Sequence, residues 1–322
     1  MQHAEDAGRF VRVRRGNVGT PPDVALSAML AEQIFNGIVL GGMYALIAVG
    51  YALVFGVLDK LNFAHSEVFM LGGFAAIVTA AMGAPLWASL VLAIVVCGAL
   101  GLLIEIVSFR KFVSADAQIT AALSSLALGL IFIDLVQKQV GTDPVAVPIS
   151  TELRTAGFQL FGVQVIYVKL AILVVSLAVM IALHQLVMRT RIGRNIRAVA
   201  GAPQAARLLG IDVRRVNQQV FFIASAMAGI AGLMLALRTG FAPSDIGFTF
   251  GLKALAIMAI GGMGDLRGAV LGGLLVGVLE GIAGHLGLDH VADVAVWVLM
   301  ILVLLVRPAG LFSRGQMPEP RA

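Results

Sequence analysis

Nine long apolar blocks, almost free of charge, constrain this chain more than any other feature. They lie at about 34–58, 64–82, 86–107, 118–138, 165–187, 218–237, 250–263, 268–286 and 291–306. An α-helix needs roughly 20 apolar residues to cross a hydrocarbon core about 30 Å thick. Inside lipid, a helix satisfies its backbone N–H and C=O groups within its own segment. The block at 250–263 is short for a full crossing and is the weakest of the nine. The 322 residues are 59% hydrophobic and only 13% charged, where a soluble domain carries about 25% charged residues. This composition excludes a soluble enzyme, a nucleic-acid-binding module and a disordered chain. The expected fold is all-α, a polytopic membrane helix bundle of about eight or nine transmembrane spans.

The interruptions set the organisation. Residues 1–29 read as an N-terminal tail, with Arg9, Arg12, Arg14, Arg15 and Pro21-Pro22. No apolar stretch follows these arginines closely enough for a cleavable signal peptide, and Met29 is an alternative start. Residues 30–312 form the membrane domain, with a basic loop over 188–217 and a C-terminal tail over 313–322. The stretch 139–164, with Pro144, Pro148 and Gly157, reads as an irregular loop.

If all nine blocks cross and 188–217 is cytoplasmic, that side holds 14 cations: Lys60, Arg110, Lys111, Arg189, Arg191, Arg194, Arg197, Arg207, Arg214, Arg215, Arg267, Arg307, Arg314 and Arg321. The other side keeps 5: Lys138, Arg154, Lys169, Arg238 and Lys253. Cytoplasmic loops are the ones enriched in Lys and Arg. The C-terminus is therefore expected inside and residue 30 outside, against the dissent of the four tail arginines.

Several local patterns carry possible function. In the basic loop, Pro203 suits the first turn of a helix, Gln204 to Leu209 sustain it and Gly210 stops it. Such a capped helix is suited to docking on another protein; a positive loop that only sets orientation is the competing reading. Glycine is abundant, 37 residues where about 22 are usual. Gly264, Gly268 and Gly272 form one four-residue series, and Gly273, Gly277 and Gly281 another. Each series lies on one helical face, suited to close helix packing in lipid or to a moving gate.

Asn62 to Glu67 places an N-cap residue and a first-turn acid at the edge of a span. It reads either as a cap and interfacial anchor or as a polar helix start facing a pathway. Glu105, Asp134 and Glu280 lie within spans, where acids usually pair or face a watery interior. Glu105 is expected to pair with Arg110, and Glu280 is the better pathway candidate. The single cysteine, Cys97, excludes a disulfide framework, and His65 has no second ligand at metal spacing. No Gly-x4-Gly-Lys-Ser/Thr phosphate loop occurs, so ATP hydrolysis is not expected in this chain.

Five motifs together resemble one family. Gly193-x4-Ala198-x6-Ala205-Ala206-x3-Gly210-Ile211 resembles the coupling loop of ABC importer permeases. Asn36-Gly37-x3-Gly41-x2-Tyr44-Ala45-Leu46-x3-Gly50, Asn62-Phe63-Ala64-His65-Ser66-Glu67 and Gly261-Gly262-Met263-Gly264-x2-Arg267-Gly268-Ala269 narrow the match. With Arg307-Pro308-x-Gly310-Leu311 they resemble, in order over residues 30–312, the branched-chain amino acid permease family of LivH type. Ser66 stands where that family usually has Gly.

The resemblance implies two pseudo-symmetric halves and a multi-pass protein of the bacterial inner membrane. It implies a permease subunit of an ABC importer for branched-chain or related amino acids, with no cofactor of its own. The implied partners are a homologous second permease, two cytoplasmic ATPases and an extracytoplasmic binding protein, with lipid around the bundle and no nucleic acid. Coupling to the ATPases is assigned to Gly193, Arg197, Ala198, Pro203, Ala205, Ala206, Arg207 and Gly210. Candidates for the path or gate are Asn62, His65, Ser66, Glu67, Gly261, Gly262, Gly264 and Glu280. An ion-coupled secondary transporter is the alternative, and it needs paired intramembrane carboxylates or broken helices where the sequence offers scattered acids.

Overall fold

The structure, a computed structural model, describes residues 22–112, 117–148, 154–160 and 163–312. Residues 1–21 of the expected N-terminal tail and the C-terminal tail 313–322 lie outside the described residues.

The chain is a nearly all-α bundle. In order it forms α1 (Pro22–Leu58), α2 (His65–Ala81), α3 (Leu86–Ile104, continued by a π-turn over Glu105–Phe109) and α4 (Gln118–Val140). Then follow β1 (Val145–Ala146), β2 (Gly157–Leu160), β3 (Val163–Ile166), α5 (Tyr167–Arg189), α6 (Arg191–Gly201) and α7 (Pro203–Leu208). The remainder is α8 (Val213–Thr239), β4 (Phe241–Ala242), α9 (Ile246–Gly261), α10 (Leu266–His285) and α11 (Asp289–Val306).

Nine of these helices follow the nine apolar blocks. Six described helices are long and apolar enough to cross a membrane: Met29–Leu58, Leu86–Phe109, Gln118–Val140, Tyr167–Arg189, Val213–Thr239 and Leu266–His285. Three are shorter: His65–Ala81, Ile246–Gly261 and Val291–Val306. At 16 residues, α9 reaches only about 24 Å at 1.5 Å per residue, which accounts for the weak signal at 250–263. The first helix begins at Pro22 rather than near residue 30. Residues 22–29 therefore belong to α1, and proline is at home at such a start.

Two helices make the centre. The apolar windows of α1 and α8 are each 83% buried, against 22% for α4 and for α5. Small residues explain why these two can sit inside. Gly37 and Gly41 of α1 face Gly277 and Gly273 of the antiparallel α10, and a Cβ on Gly277 would lie 2.3 Å from the Gly41 Cα. Backbones approach this closely only where side chains are missing. The central α8 meets α3 in the same way, since a Cβ on Gly101 would lie 2.4 Å from the Phe221 carbonyl oxygen. Around this pair, α2 packs on α8 and α3, α9 packs on α10 and α1, and α11 covers α9 and α10.

Three expectations need correction. The stretch 139–164 is not wholly irregular: β1 pairs antiparallel with β4, and β2 pairs with β3 in the register Gly157↔Ile166 and Leu160↔Val163. The two-to-four-residue strands are too short to stand out beside the prolines. The basic stretch 188–217 is not one loop with one helix, because α6 precedes α7. Thr190 caps α6 by accepting from Gly193 N at 3.1 Å, and Gly193, Ile196 and Val199 form its buried stripe. Finally, Gly264 does not share a helical face with Gly268 and Gly272. It has φ +82° and precedes α10, whose start is capped by Asp265 Oδ1, accepting from Arg267 N at 2.8 Å and Gly268 N at 3.2 Å.

Candidate functional site

At the Leu58 end of α1, α6 and α7 form a clamped projection. A Cβ on Gly193 would lie 2.3 Å from the Leu186 carbonyl oxygen and 2.2 Å from that of Val187, so α6 sits directly on the end of α5. Arg197 tightens this seat by donating from Nη1 to the Val187 carbonyl. The turn of α7 follows at once, with Pro203 in its first turn and Gly210 at φ +82° ending it. Asp212 then caps α8 by accepting from Arg215 N at 3.2 Å.

The candidate coupling residues divide by exposure. Ala206 is 2% exposed and packs into the chain's own core, while Leu208 is 90% and Leu209 81% exposed. Ala205 and Arg207 are also exposed. Two adjacent leucines this bare, at the tip of a basic projection, have no packing role in the described chain. They were not among the residues singled out from the sequence, where they read as helix formers. The signal was the Leu-Leu-Gly that ends the helix.

The Asn62–Glu67 motif sits where α2 starts among α1, α4, α8 and α9. Asn62 does not cap the helix. Ala64 holds the N-cap position without a side-chain bond, and only the Asn62 carbonyl serves, accepting from His65 N at 3.3 Å. The preceding tight turn carries the Asn62 side chain into the interior, where it is 1% exposed and both amide atoms lack a hydrogen-bond partner. His65 packs against Tyr51, ring centroids 4.5 Å apart, and fills the space beside Gly50. Ser66 Oγ donates to Glu67 Oε1 at 3.1 Å, while Oε2 has no partner. It borders a cavity of about 50 Å3 lined by Tyr51, Gly129 and Gly251 among others. Just before this motif Lys60 donates to the Phe112 carbonyl, and burial lowers its ammonium pKa against the opposing pull of Asp59.

The late glycine motif meets the C-terminal one. Leu311 N donates to the Ile260 carbonyl at 2.8 Å and Phe312 N to that of Gly261 at 3.1 Å. A Cβ on Gly310 would lie 2.5 Å from the Gly262 Cα, one on Gly261 2.2 Å from the Gly268 carbonyl oxygen, and one on Gly56 3.0 Å from that of Gly264. Gly261, Gly262 and Gly264 thus make a backbone-on-backbone junction of α1, α9, α10 and the segment that follows α11.

Residues 33–306 match the family described as "Branched-chain amino acid transport system / permease component". Over 299 residues the chain is 33% identical to the high-affinity branched-chain amino acid transport permease BraD of Pseudomonas aeruginosa, covering 89% of this chain and 97% of that protein. It is 34% identical, with the same coverage, to LivH of Escherichia coli K12. A probable LivH permease of Methanocaldococcus jannaschii is 25% identical over 302 residues, 87% of this chain and 92% of that one. The chain belongs to that permease family.

In this permease Glu105, Asp134 and Glu280 are each paired with a cation. Glu105 accepts from Arg110 Nη2 at 2.7 Å, as its place in the sequence suggests, and Asp134 pairs with Lys138 one turn on, at 2.7 Å. Glu280 anchors a larger cluster. Tyr44 donates its hydroxyl to Glu280 Oε2 at 2.7 Å, and Lys253 donates to Oε1 at 3.1 Å. Lys253 also meets Asp293 Oδ1 at 2.5 Å. This cluster joins α1, α9, α10 and α11. Glu280 lies far along α1 from the late glycine motif, since Gly281 packs on Gln33 and Gly37 while Gly264 packs on Gly56, whereas Lys253 comes two residues after Gly251, which packs on Ser66. The residues grouped from sequence as one candidate path are therefore spread along the bundle, with Ser66 and Glu67 against Gly251 and Gly247 of α9 and Gly261 at the other end of that helix. Lys253 and Tyr44 were missed as partners of Glu280 because 27 and 236 residues separate them from it.

Proposed function

We propose that this permease is the transmembrane subunit of an ABC importer that carries branched-chain or closely related amino acids into the cell. Separate ATPase subunits hydrolyse ATP, a homologous permease completes the channel and an extracytoplasmic protein delivers substrate. The chain itself needs no cofactor. The observation that carries this reading, beside family membership, is the α6–α7 projection clamped on α5 with Leu208 and Leu209 bare at its tip. Exposed leucines beside basic residues, between two spans, form an apolar patch of the kind that marks a contact with a partner protein. Nucleotide-driven closure of the ATPases then pushes the clamped pair of helices and biases the bundle between outward-open and inward-open states.

In this reading all nine apolar helices cross, the charge bias puts α6, α7 and the C-terminus inside, and two halves of inverted topology, α1–α4 and α8–α11, surround the α1–α8 centre. Exchange of the halves relates the glycine-lined antiparallel pair α1–α10 to the equally glycine-lined α8–α3, which supports the pairing. The test is the variant Leu208→Ser/Leu209→Ser with two readouts, co-purification of the ATPase and leucine uptake. Normal membrane insertion with loss of both is expected. Retained co-purification and uptake would refute the coupling role.

A further inference from the structure

We infer that the groove between α5 and α10 is a binding site for one anionic phospholipid of the cytoplasmic leaflet. The groove has a volume of about 950 Å3. Its walls are apolar, with Leu177 and Ile181 of α5 and Leu271 of α10 standing 55%, 49% and 44% exposed. Its mouth is cationic, formed by Arg189, Arg197 and Arg267. The acid at the mouth, Asp265, is engaged as the cap of α10. Neither Arg189 nor Arg267 has an acidic partner among the described residues.

The division of chemistry along the groove selects the ligand. A free phosphate or nucleotide would use the arginines but gain nothing from the leucine and isoleucine walls. A purely apolar ligand would leave the guanidinium groups unanswered. A phospholipid answers both, with phosphate oxygens accepting from the arginine forks and an acyl chain along the walls. Length agrees as well. From Leu177 to Arg189 the α5 helix rises about 18 Å, close to the roughly 15 Å depth of one leaflet's hydrocarbon. Basic residues at this end of the span also match the sign of the cytoplasmic leaflet, whose anionic headgroups attract Lys and Arg. The inference rests on placing α6 and α7 inside, and on nothing else in the importer reading.

The test uses the whole transporter complex, purified from bacterial membranes in mild detergent, with bound phosphatidylglycerol, cardiolipin and phosphatidylethanolamine counted per complex by mass spectrometry. Wild type should retain anionic lipid in excess over phosphatidylethanolamine. Arg189→Gln/Arg267→Gln should lose at least threefold of the anionic lipid, because it removes the two unpaired cations. Ile181→Trp, which fills the groove without changing charge, should lose a similar share. Unchanged anionic lipid in both variants overturns the site. So does efficient cross-linking of Ile181→Cys to the second permease, which would put protein where lipid is assigned. ATPase co-purification from the same preparations reports separately on the importer reading, since the lipid count does not depend on it.

Discussion

Replacing Lys253 by methionine removes the cation that holds three helices to α9, and the geometry ranks its effect against neighbouring changes. Lys253 and Glu280 side chains are only 9% and 10% exposed, while Asp293 is 59% exposed. In Lys253→Met the Glu280 carboxylate stays buried with the Tyr44 hydroxyl as its remaining donor. Breaking a buried pair from one side costs about 3–5 kcal/mol where the other charge stays uncompensated, and Arg238, which lines the same cavity as Glu280, holds the expected loss to the lower end. Glu280→Gln is milder: Lys253 keeps Asp293 at 2.5 Å and can still donate to the amide oxygen, so about 1–3 kcal/mol is expected. Asp293→Asn removes a charge that water already screens and should cost about 1 kcal/mol or less. Lys253→Met/Glu280→Gln leaves neither charge buried alone and should recover about 2 kcal/mol relative to the sum of the single variants. Denaturant unfolding of the purified permease in mixed micelles measures the series. Equal losses for Lys253→Met and Asp293→Asn, or strict additivity in the double variant, would refute the argument that burial gives this cluster its strength.

Four further outcomes rest on the same geometry. Ala205→Glu, on the exposed side of α7, should weaken ATPase co-purification while leaving the permease folded; Ala206→Glu should lower thermal stability of the permease alone, since Ala206 is 2% exposed within its own chain. Gly277→Leu should abolish the α1–α10 approach, where even a Cβ would lie 2.3 Å from Gly41, and yield little folded protein by size-exclusion chromatography. Cysteine placed at Asn195, on the exposed face of α6, should resist a membrane-impermeant maleimide in intact cells and react after lysis; labelling in intact cells would reverse the proposed orientation.

The blocks were legible because the demand they report is local. A helix in lipid must be apolar along its own length, so each of the nine segments carries its signal independently of its neighbours. Helix termini were legible for the same reason where Pro203 and Gly210 bracket α7. The α6 helix was not, because Gly193 and Asn195 are poor helix formers, and what holds Gly193 there is its seat on the Leu186 and Val187 carbonyls. The N-cap reading of Asn62 fails because that local rule yields to the tight turn that sends its side chain inward. Lys253 with Glu280 and β1 with β4 are contacts across the fold, and spacing along one sequence does not encode them.

The projection shows how the two kinds of information combine. Sequence identifies a short helix bounded by proline and glycine, and packing decides which of its faces is available to a partner. Alanines suggested close approach from outside, yet Ala206 faces inward and the leucines beyond it face out. A force applied at Leu208 reaches α6 within a few residues, because only Ala202 separates α6 from α7. It then meets the Arg197 bond and the Gly193 contact on the last turn of α5. On the other side, Gly210 and the Asp212 cap deliver it to the start of α8, the buried centre of the bundle. In the proposed coupling, a push on the two exposed leucines is thus divided between α5 and the central α8. Unequal loading of this kind, with α5 lightly packed and α8 held on nearly every side, favours movement of the outer span against the centre.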